Sequence, residues 1–223
     1  MSILCGWASI DERGRARGGT AGDQTGGEVK VGYYYQFGQN VVLRPTDRAT
    51  GVKMAEIMRK ICYNNKVGYD QDERTTLYKE MARVGWDPDK ITKPVETDCS
   101  ALIAVVCRSV GISVSPDIWT GNMREALSKT GKFKAFTGTG WTNTDKNLRK
   151  GDIILNPASH VIMAIEDGPD ADKGETSSVP QPVGTATVYV YGSHGSGVNE
   201  RWALDSSRSV WVPKKVCHGY KKR

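Results

Sequence analysis

Cys99 is the residue whose type and setting best suit it to chemistry. It opens the stretch Glu96-Thr97-Asp98-Cys99-Ser100-Ala101-Leu102-Ile103-Ala104-Val105-Val106-Cys107. Apolar residues at nearly every later position predict a helix buried on most sides. Thr97 or Asp98 suits its N-cap, accepting a hydrogen bond from an amide one turn in. Cys99 then lies in the first turn, where unpaired amides and the helix dipole favour negative charge and lower a thiol pKa. Alone, a free cysteine is more often a small buried hydrophobe. A partner appears in Gly151-Asp152-Ile153-Ile154-Leu155-Asn156-Pro157-Ala158-Ser159-His160-Val161-Ile162-Met163-Ala164-Ile165. Two apolar segments flank a short proline turn there, a hairpin pattern that starts its second strand on His160. An imidazole held against the helix mouth withdraws the thiol proton and turns the sulfur into a nucleophile.

The elements that must position this pair read as a mixture. Residues 3–11 alternate loosely as a strand, and residues 28–35 and 39–44, rich in valine and tyrosine, read as two more. Between them lies Arg17-Gly18-Gly19-Thr20-Ala21-Gly22-Asp23-Gln24-Thr25-Gly26-Gly27, too glycine-rich for regular structure. Its amides could approach a phosphate, but no Gly-Lys-Ser/Thr follows, so that reading has little weight. A helix is expected across 52–64, with Val52, Ala55, Ile57, Met58 and Ile61 on its apolar face. Asn64 to Asp70 breaks it. A second helix is expected near 72–84 with Gly85 at its end, then a turn at Trp86-Asp87-Pro88-Asp89. The cysteine helix runs to about Gly111, and a short helix occupies 121–129, opened by Thr120. Residues 169–184 read as a mobile insertion, 185–192 and 208–213 as strands, and the end as a basic tail.

With 223 residues, 38% hydrophobic and 25% charged, the chain is globular and long enough to bury a sizeable core. The net charge of +6 suits an anionic partner such as an acidic wall polymer, and equally suits simple solubility. No apolar run reaches the roughly 18 residues of a membrane span, and the N-terminus lacks the pattern of a secretory signal. The cysteines Cys5, Cys62, Cys99, Cys107 and Cys217 form no CxxC pair, so neither a zinc knuckle nor a disulfide framework is expected. His194, in a glycine-serine loop, reads as solvent-exposed, and His218 beside Cys217 offers too few ligands for a metal. The tryptophans read mainly as core or loop anchors, with one or two available to line a groove. Aromatic-basic interleaving of the kind that binds single-stranded nucleic acid is missing.

Asp98-Cys99-Ser100 at a helix start, Gly151-Asp152-Ile153 and His160-Val161-Ile162 together resemble the NlpC-like, papain-like cysteine peptidase superfamily of peptidoglycan hydrolases. Gly68-Tyr69-Asp70-Gln71 is similar to the tyrosine segment that such enzymes place before the cysteine. More narrowly, Ala8-Ser9-Ile10-Asp11-Glu12 with Gly22-Asp23-Gln24-Thr25-Gly26 resembles a block of bacteriophage endolysins that normally follows the histidine strand. Here it precedes the cysteine helix, which implies a circular permutation. The resemblance covers roughly residues 7–168.

It implies an α+β fold of papain-like NlpC type, with an antiparallel sheet packed on the helix of the nucleophilic cysteine. The expected organisation is one catalytic domain over 1–223, with a core of about 3–168. It implies Cys99 as nucleophile and His160 as base, with Tyr69, Asp98 and Ser100 binding substrate; Tyr69 and the Cys99 amide would hold the oxyanion, and the alternative for Asp98 is that it serves only as the helix cap. The family's third, imidazole-orienting polar residue falls near Trp7, which cannot accept the bond. Ser9, Asp23 and Gln24 are alternatives if the chain is permuted; Tyr191, Ser193 and His194 if it is not. The implied activity is cleavage of an amide bond of the wall stem peptide, as endopeptidase or N-acetylmuramoyl-L-alanine amidase. A papain-like acyltransferase or deamidase, or a non-catalytic basic wall-binding module, are the alternatives. No cofactor or metal is implied. The expected partner is bacterial peptidoglycan, met by a monomer made in the bacterial cytoplasm without a signal peptide.

Overall fold

The chain divides into two units, Met1–Thr176 and Ser177–Arg223. The computed structural model describes residues 2–172 and, as backbone, residues 189–194, 198–205 and 210–213.

In the first unit, strands β1 (Leu4–Ala8), β2 (Val29–Tyr33), β3 (Val41–Pro45), β6 (Phe133–Phe136), β7 (Ile153–Asn156) and β8 (His160–Ala164) build one six-stranded sheet. Two short strands, β4 (Val67–Tyr69) and β5 (Val95–Thr97), pair separately. The large sheet runs in the order β2-β1-β8-β7-β3-β6, and each pairing in it is antiparallel. β1, from the start of the chain, therefore lies beside the histidine strand, with Cys5 opposite Ala164 and Gly6 opposite Met163. The helices are α1 (Arg48–Cys62), α2 (Thr76–Arg83), α3 (Cys99–Ser109), α4 (Thr120–Lys129) and the single turn α5 (Thr139–Thr142). This is an α+β arrangement, with α1 and α3 packed on the sheet.

Strand alternation divides the apolar residues between two clusters. Val41, Leu43, Ile153, Leu155, Val161 and Met163 meet α1 and α3 in the larger one. Val42, Ile154, Ile162 and Ala164 join Ile3, Cys5, Trp7 and Leu148 in the smaller one, with Phe37, Phe136 and Trp141 packed over it. α3 is buried along most of its length, from Cys99 to Cys107, as its unbroken apolar run requires.

α1 begins earlier than the periodicity predicts, because Asp47 caps it: the Thr50 amide donates to Asp47 Oδ2 at 2.8 Å. β4 and β5, unexpected because each is three residues long, form a parallel pair with Gly68 opposite Glu96 and Tyr69 opposite Thr97. Gly68 is obligatory there, since a Cβ would sit 2.5 Å from the Gly22 carbonyl oxygen. β6 and α5 were likewise not legible as elements, being one turn or one short strand each. The Gly151-Asp152 pair has a structural task. Gly151 has φ +87, and a Cβ on it would lie 2.5 Å from the Gly51 backbone of α1. Asp152 accepts from Arg44 Nε at 2.9 Å and Nη2 at 2.7 Å, a buried ion pair that ties β7 to β3.

In the second unit, β9 (Tyr189–His194), β10 (Val198–Asp205) and β11 (Val210–Pro213) form an antiparallel sheet in the order β11-β10-β9. β10 was not expected, and His194 ends a strand instead of sitting in a loop. The expected mobile insertion falls outside the described residues except for a turn over 169–172, and His218 and the basic tail lie outside them altogether.

Candidate active site

Asp98 is the N-cap of α3, its Oδ1 accepting from the Ser100 amide at 2.9 Å and the Ala101 amide at 2.7 Å. Arg74 braces this cap. Its Nη2 donates to Asp98 Oδ1 at 3.1 Å, to Ser100 Oγ at 2.9 Å and to the Ile118 carbonyl at 2.5 Å. Its Nε lies 2.7 Å from Asp98 Oδ2 as an ion pair without hydrogen-bond alignment.

Cys99 stands in the first turn as expected, but its thiol pKa moves the other way. Burial pushes it up to about 12, and the Asp98 carboxylate adds to the rise; the amides of Val161 and Ser100 oppose it. The helix end does not overcome this, because Asp98 draws on the Ser100 and Ala101 amides that would otherwise favour a thiolate more strongly.

His160 is the first residue of β8, and the amide that faces the Cys99 sulfur belongs to the next residue, Val161. Cys99 and His160 are thus carried to neighbouring positions, although no hydrogen bond joins the His160 ring to Cys99 or to any other described residue. The ring meets Phe37 edge-on, with centroids 5.3 Å apart. Burial pushes the His160 pKa down to about 4.

Tyr69 is 4% exposed and sits on β4, so it is not a surface-loop tyrosine. Its hydroxyl accepts from Gln71 Nε2 at 3.1 Å, and burial pushes its pKa to about 12, with Cys99 and Asp98 also acting on it. Two of the expected orienters of the imidazole, Asp23 and Gln24, are engaged elsewhere. The Asp23 carboxylate accepts from the amides of Thr25, Gly26 and Glu28, and the Gln24 side chain donates to the carbonyls of Ala21 and Gly22.

The glycine-rich loop is not an open anion cradle. Asp70 takes the amides of Gly18 and Gly19, Glu12 that of Thr20, and Glu96 that of Gly22. Asp70 and Glu96 pin the loop to the β4–β5 pair, and Arg17 at its start shares a cavity with the cysteine. A cavity of about 250 Å³ opens there, lined by Arg17, Gln71, Arg74, Asp98, Cys99 and Ser100 with Trp119, Thr120 and Ser159. Cys99, Asp98 and Ser100 therefore share one cavity. Tyr69 is not on its lining, but Gln71 is, and that side chain holds the Tyr69 hydroxyl.

Arg17 and Arg74 were missed by sequence reasoning, and Trp119 was read only as one of the tryptophans of which one or two could line a groove. Arg74 follows closely on the tyrosine segment, a proximity that could have flagged it. Trp119 is 56% exposed, which singles it out as a groove residue among the tryptophans whose side chains are described. A second cavity of about 270 Å³, lined in part by Ser113, Val114, Asp117 and Asn122, holds neither thiol nor imidazole.

Among the described residues no three His, Cys, Asp or Glu side chains are grouped to hold a metal ion. No helix of the described residues is long and apolar enough to cross a membrane. No curated protein and no solved structure matches the chain. The family model of the endolysin-like domain matches residues 5–171, from β1 through β8 and the cysteine cavity, and the chain belongs to that family.

Proposed function

We propose that the chain is an endolysin-type peptidoglycan hydrolase that cleaves an amide bond of the wall stem peptide by a Cys99–His160 thiol mechanism. The observation that supports it most is the setting of Cys99. It lies at the mouth of a buried helix, on the wall of an open cavity, with its sulfur against the strand that His160 begins. Membership of the endolysin-like family supplies the substrate class. We read β1 and β2 as the permuted segment of an NlpC-type fold, because β1 pairs with the histidine strand. The catalytic core is the sheet and helices of the first unit.

In the resting enzyme thiol and imidazole are both neutral, given a thiol near 12 and an imidazole near 4. Proton transfer is therefore coupled to attack. His160 takes the thiol proton as the sulfur bonds to the amide carbon, then delivers it to the departing amine as the C–N bond breaks. Water next attacks the thioester with His160 as base, releasing the acid and restoring the thiol. The Cys99 amide and the Tyr69 hydroxyl are the donors assigned to the two oxyanions. Asp98 and Ser100, which line the cavity, hold the substrate backbone and are braced by Arg74.

The test is digestion of purified walls by the wild-type chain and by Cys99→Ala. Mass spectrometry should find new carboxyl and amino termini with the wild type alone, and their identity gives the bond cut. Full activity of Cys99→Ala refutes the assignment. Products joined to an added amine instead of water identify acyl transfer.

A further inference from the structure

The His160 ring makes no hydrogen bond to another described residue, yet a base that must meet a thiol in one orientation needs something to hold it. Its contact is aromatic. Phe37 meets it at 5.3 Å with the ring planes at 73°, Tyr35 meets Phe37 at 5.4 Å, and Trp7 meets Tyr35 at 5.4 Å. The Phe37–His160 pair is edge-to-face, a geometry aromatic pairs prefer beyond simple burial, and the other two pairs are tilted at 48° and 59°.

The row is anchored at its far end. The Trp7 ring is 7% exposed and lies over Gly32 of β2, where a Cβ would be only 2.4 Å from it. The Phe37 amide donates to Gln39 Oε1 at 2.9 Å, and its carbonyl accepts from Asn156 Nδ2 at 3.0 Å. Asn156 is the register partner of His160 on β7, so the Phe37 backbone is fixed to the strand that faces the histidine.

We propose that Phe37 is the positioning residue of the base: the row Trp7–Tyr35–Phe37 sets the orientation of the His160 ring by edge contact, in the place where a hydrogen-bond acceptor would otherwise act. The inference rests on the reading of His160 as the base. Burial is the one resolved cause of the low His160 pKa. Charged and titratable groups on the packed elements add no resolved part: Cys5 on β1, Arg59 on α1, Asp98 and Cys99 at α3, Asp152 ahead of β7, and Tyr35 within the row. An aromatic wall that excludes water and supplies no charge accounts for both facts.

The experiment uses the full chain with Phe37→Ala, Phe37→Leu and Phe37→Trp. NMR titration of the His160 ring, assigned against His160→Gln, gives its pKa, and wall digestion gives kcat and KM. Phe37→Ala is expected to raise the His160 pKa from about 4 toward the free value of ~6.5 and to lower kcat on the order of 10- to 100-fold with KM little changed. Phe37→Leu restores bulk without the edge contact and should recover the pKa more than kcat, whereas Phe37→Trp should recover both. An unchanged His160 titration and kcat in Phe37→Ala overturn the inference. If Phe37→Ala is unfolded by circular dichroism, the Leu and Trp variants carry the test: equal kcat in the two overturns it. Failure of the hydrolase reading is separate, since it would show as full wall digestion by His160→Gln.

Discussion

Glu96 sits in the β5 strand that leads into the cysteine helix, and its replacement by Gln tests how the glycine-rich loop is held. The side chain is 4% exposed; one oxygen accepts from the Gly22 amide at 2.8 Å and the other has no hydrogen-bond partner among the described residues. Burial pushes its pKa from 4.5 up to about 8, and the carboxylates of Glu28, Asp70 and Glu12 add to the rise against the opposing Gly22 amide. The folded chain thus holds this proton more tightly than the unfolded chain. The stabilising effect is complete below pH 4.5, is lost as pH rises toward 8, and falls no further above it. Each tenfold in proton affinity is worth ~1.4 kcal/mol, so the ceiling is about 5 kcal/mol; local relaxation and water entry reduce this to roughly 2–3 kcal/mol. Glu96→Gln keeps an acceptor for Gly22 but cannot ionise. At pH 5 it should match or slightly trail the wild type, because its amide hydrogens lack partners beside Gly68. At pH 9 it should be the more stable by about 2 kcal/mol. Urea unfolding followed by tryptophan fluorescence from pH 5 to 9 measures the difference, and a wild-type-minus-variant curve that stays flat to about 0.5 kcal/mol refutes the reasoning.

Two further outcomes are expected. Asp152→Ala leaves the Arg44 guanidinium, 3% exposed, without its bidentate partner, and should cost about 3–5 kcal/mol in denaturant unfolding; a loss below ~1 kcal/mol contradicts the scaffold role of this pair. Iodoacetamide should label Cys99, which lines a cavity, before Cys5 and Cys107, which are fully buried; with the thiol near 12 the rate should rise about tenfold per pH unit from 7 to 10, and equal labelling of Cys107 contradicts the open site.

What could be read in advance was whatever the sequence repeats over several residues. α3 was legible because its apolar run has no polar face to hide, and the β7–β8 hairpin because two apolar segments flank one proline. The termini of α1 followed less well, since Asp47 caps it before the apolar pattern begins. β4 and β5 are three residues each, too short for any periodicity, and their pairing is fixed by a glycine contact across some distance in the chain. The cavity residues escaped for a related reason. Arg17 and Trp119 come from separate loops, and nothing in their local sequence says that both border Cys99.

The one local rule that failed is also instructive about mechanism. A cysteine at a helix mouth is expected to be acidic, and here three features reverse that expectation: the thiol is nearly buried, its neighbour Asp98 carries a negative charge, and the same Asp98 draws on the Ser100 and Ala101 amides. Arg74 neutralises Asp98 but spends its donors on the cap, Ser100 and Ile118. A thiol kept neutral in this way resists adventitious oxidation and alkylation, since the thiolate is the reactive form. In the mechanism proposed for this site, activation comes with the substrate. There an amide seated in the cavity meets the sulfur as His160 accepts its proton, and the developing charge passes to the carbonyl oxygen without ever resting on sulfur. The low His160 pKa fits that order of events, because a base already protonated at neutral pH could not accept the proton when the substrate arrives.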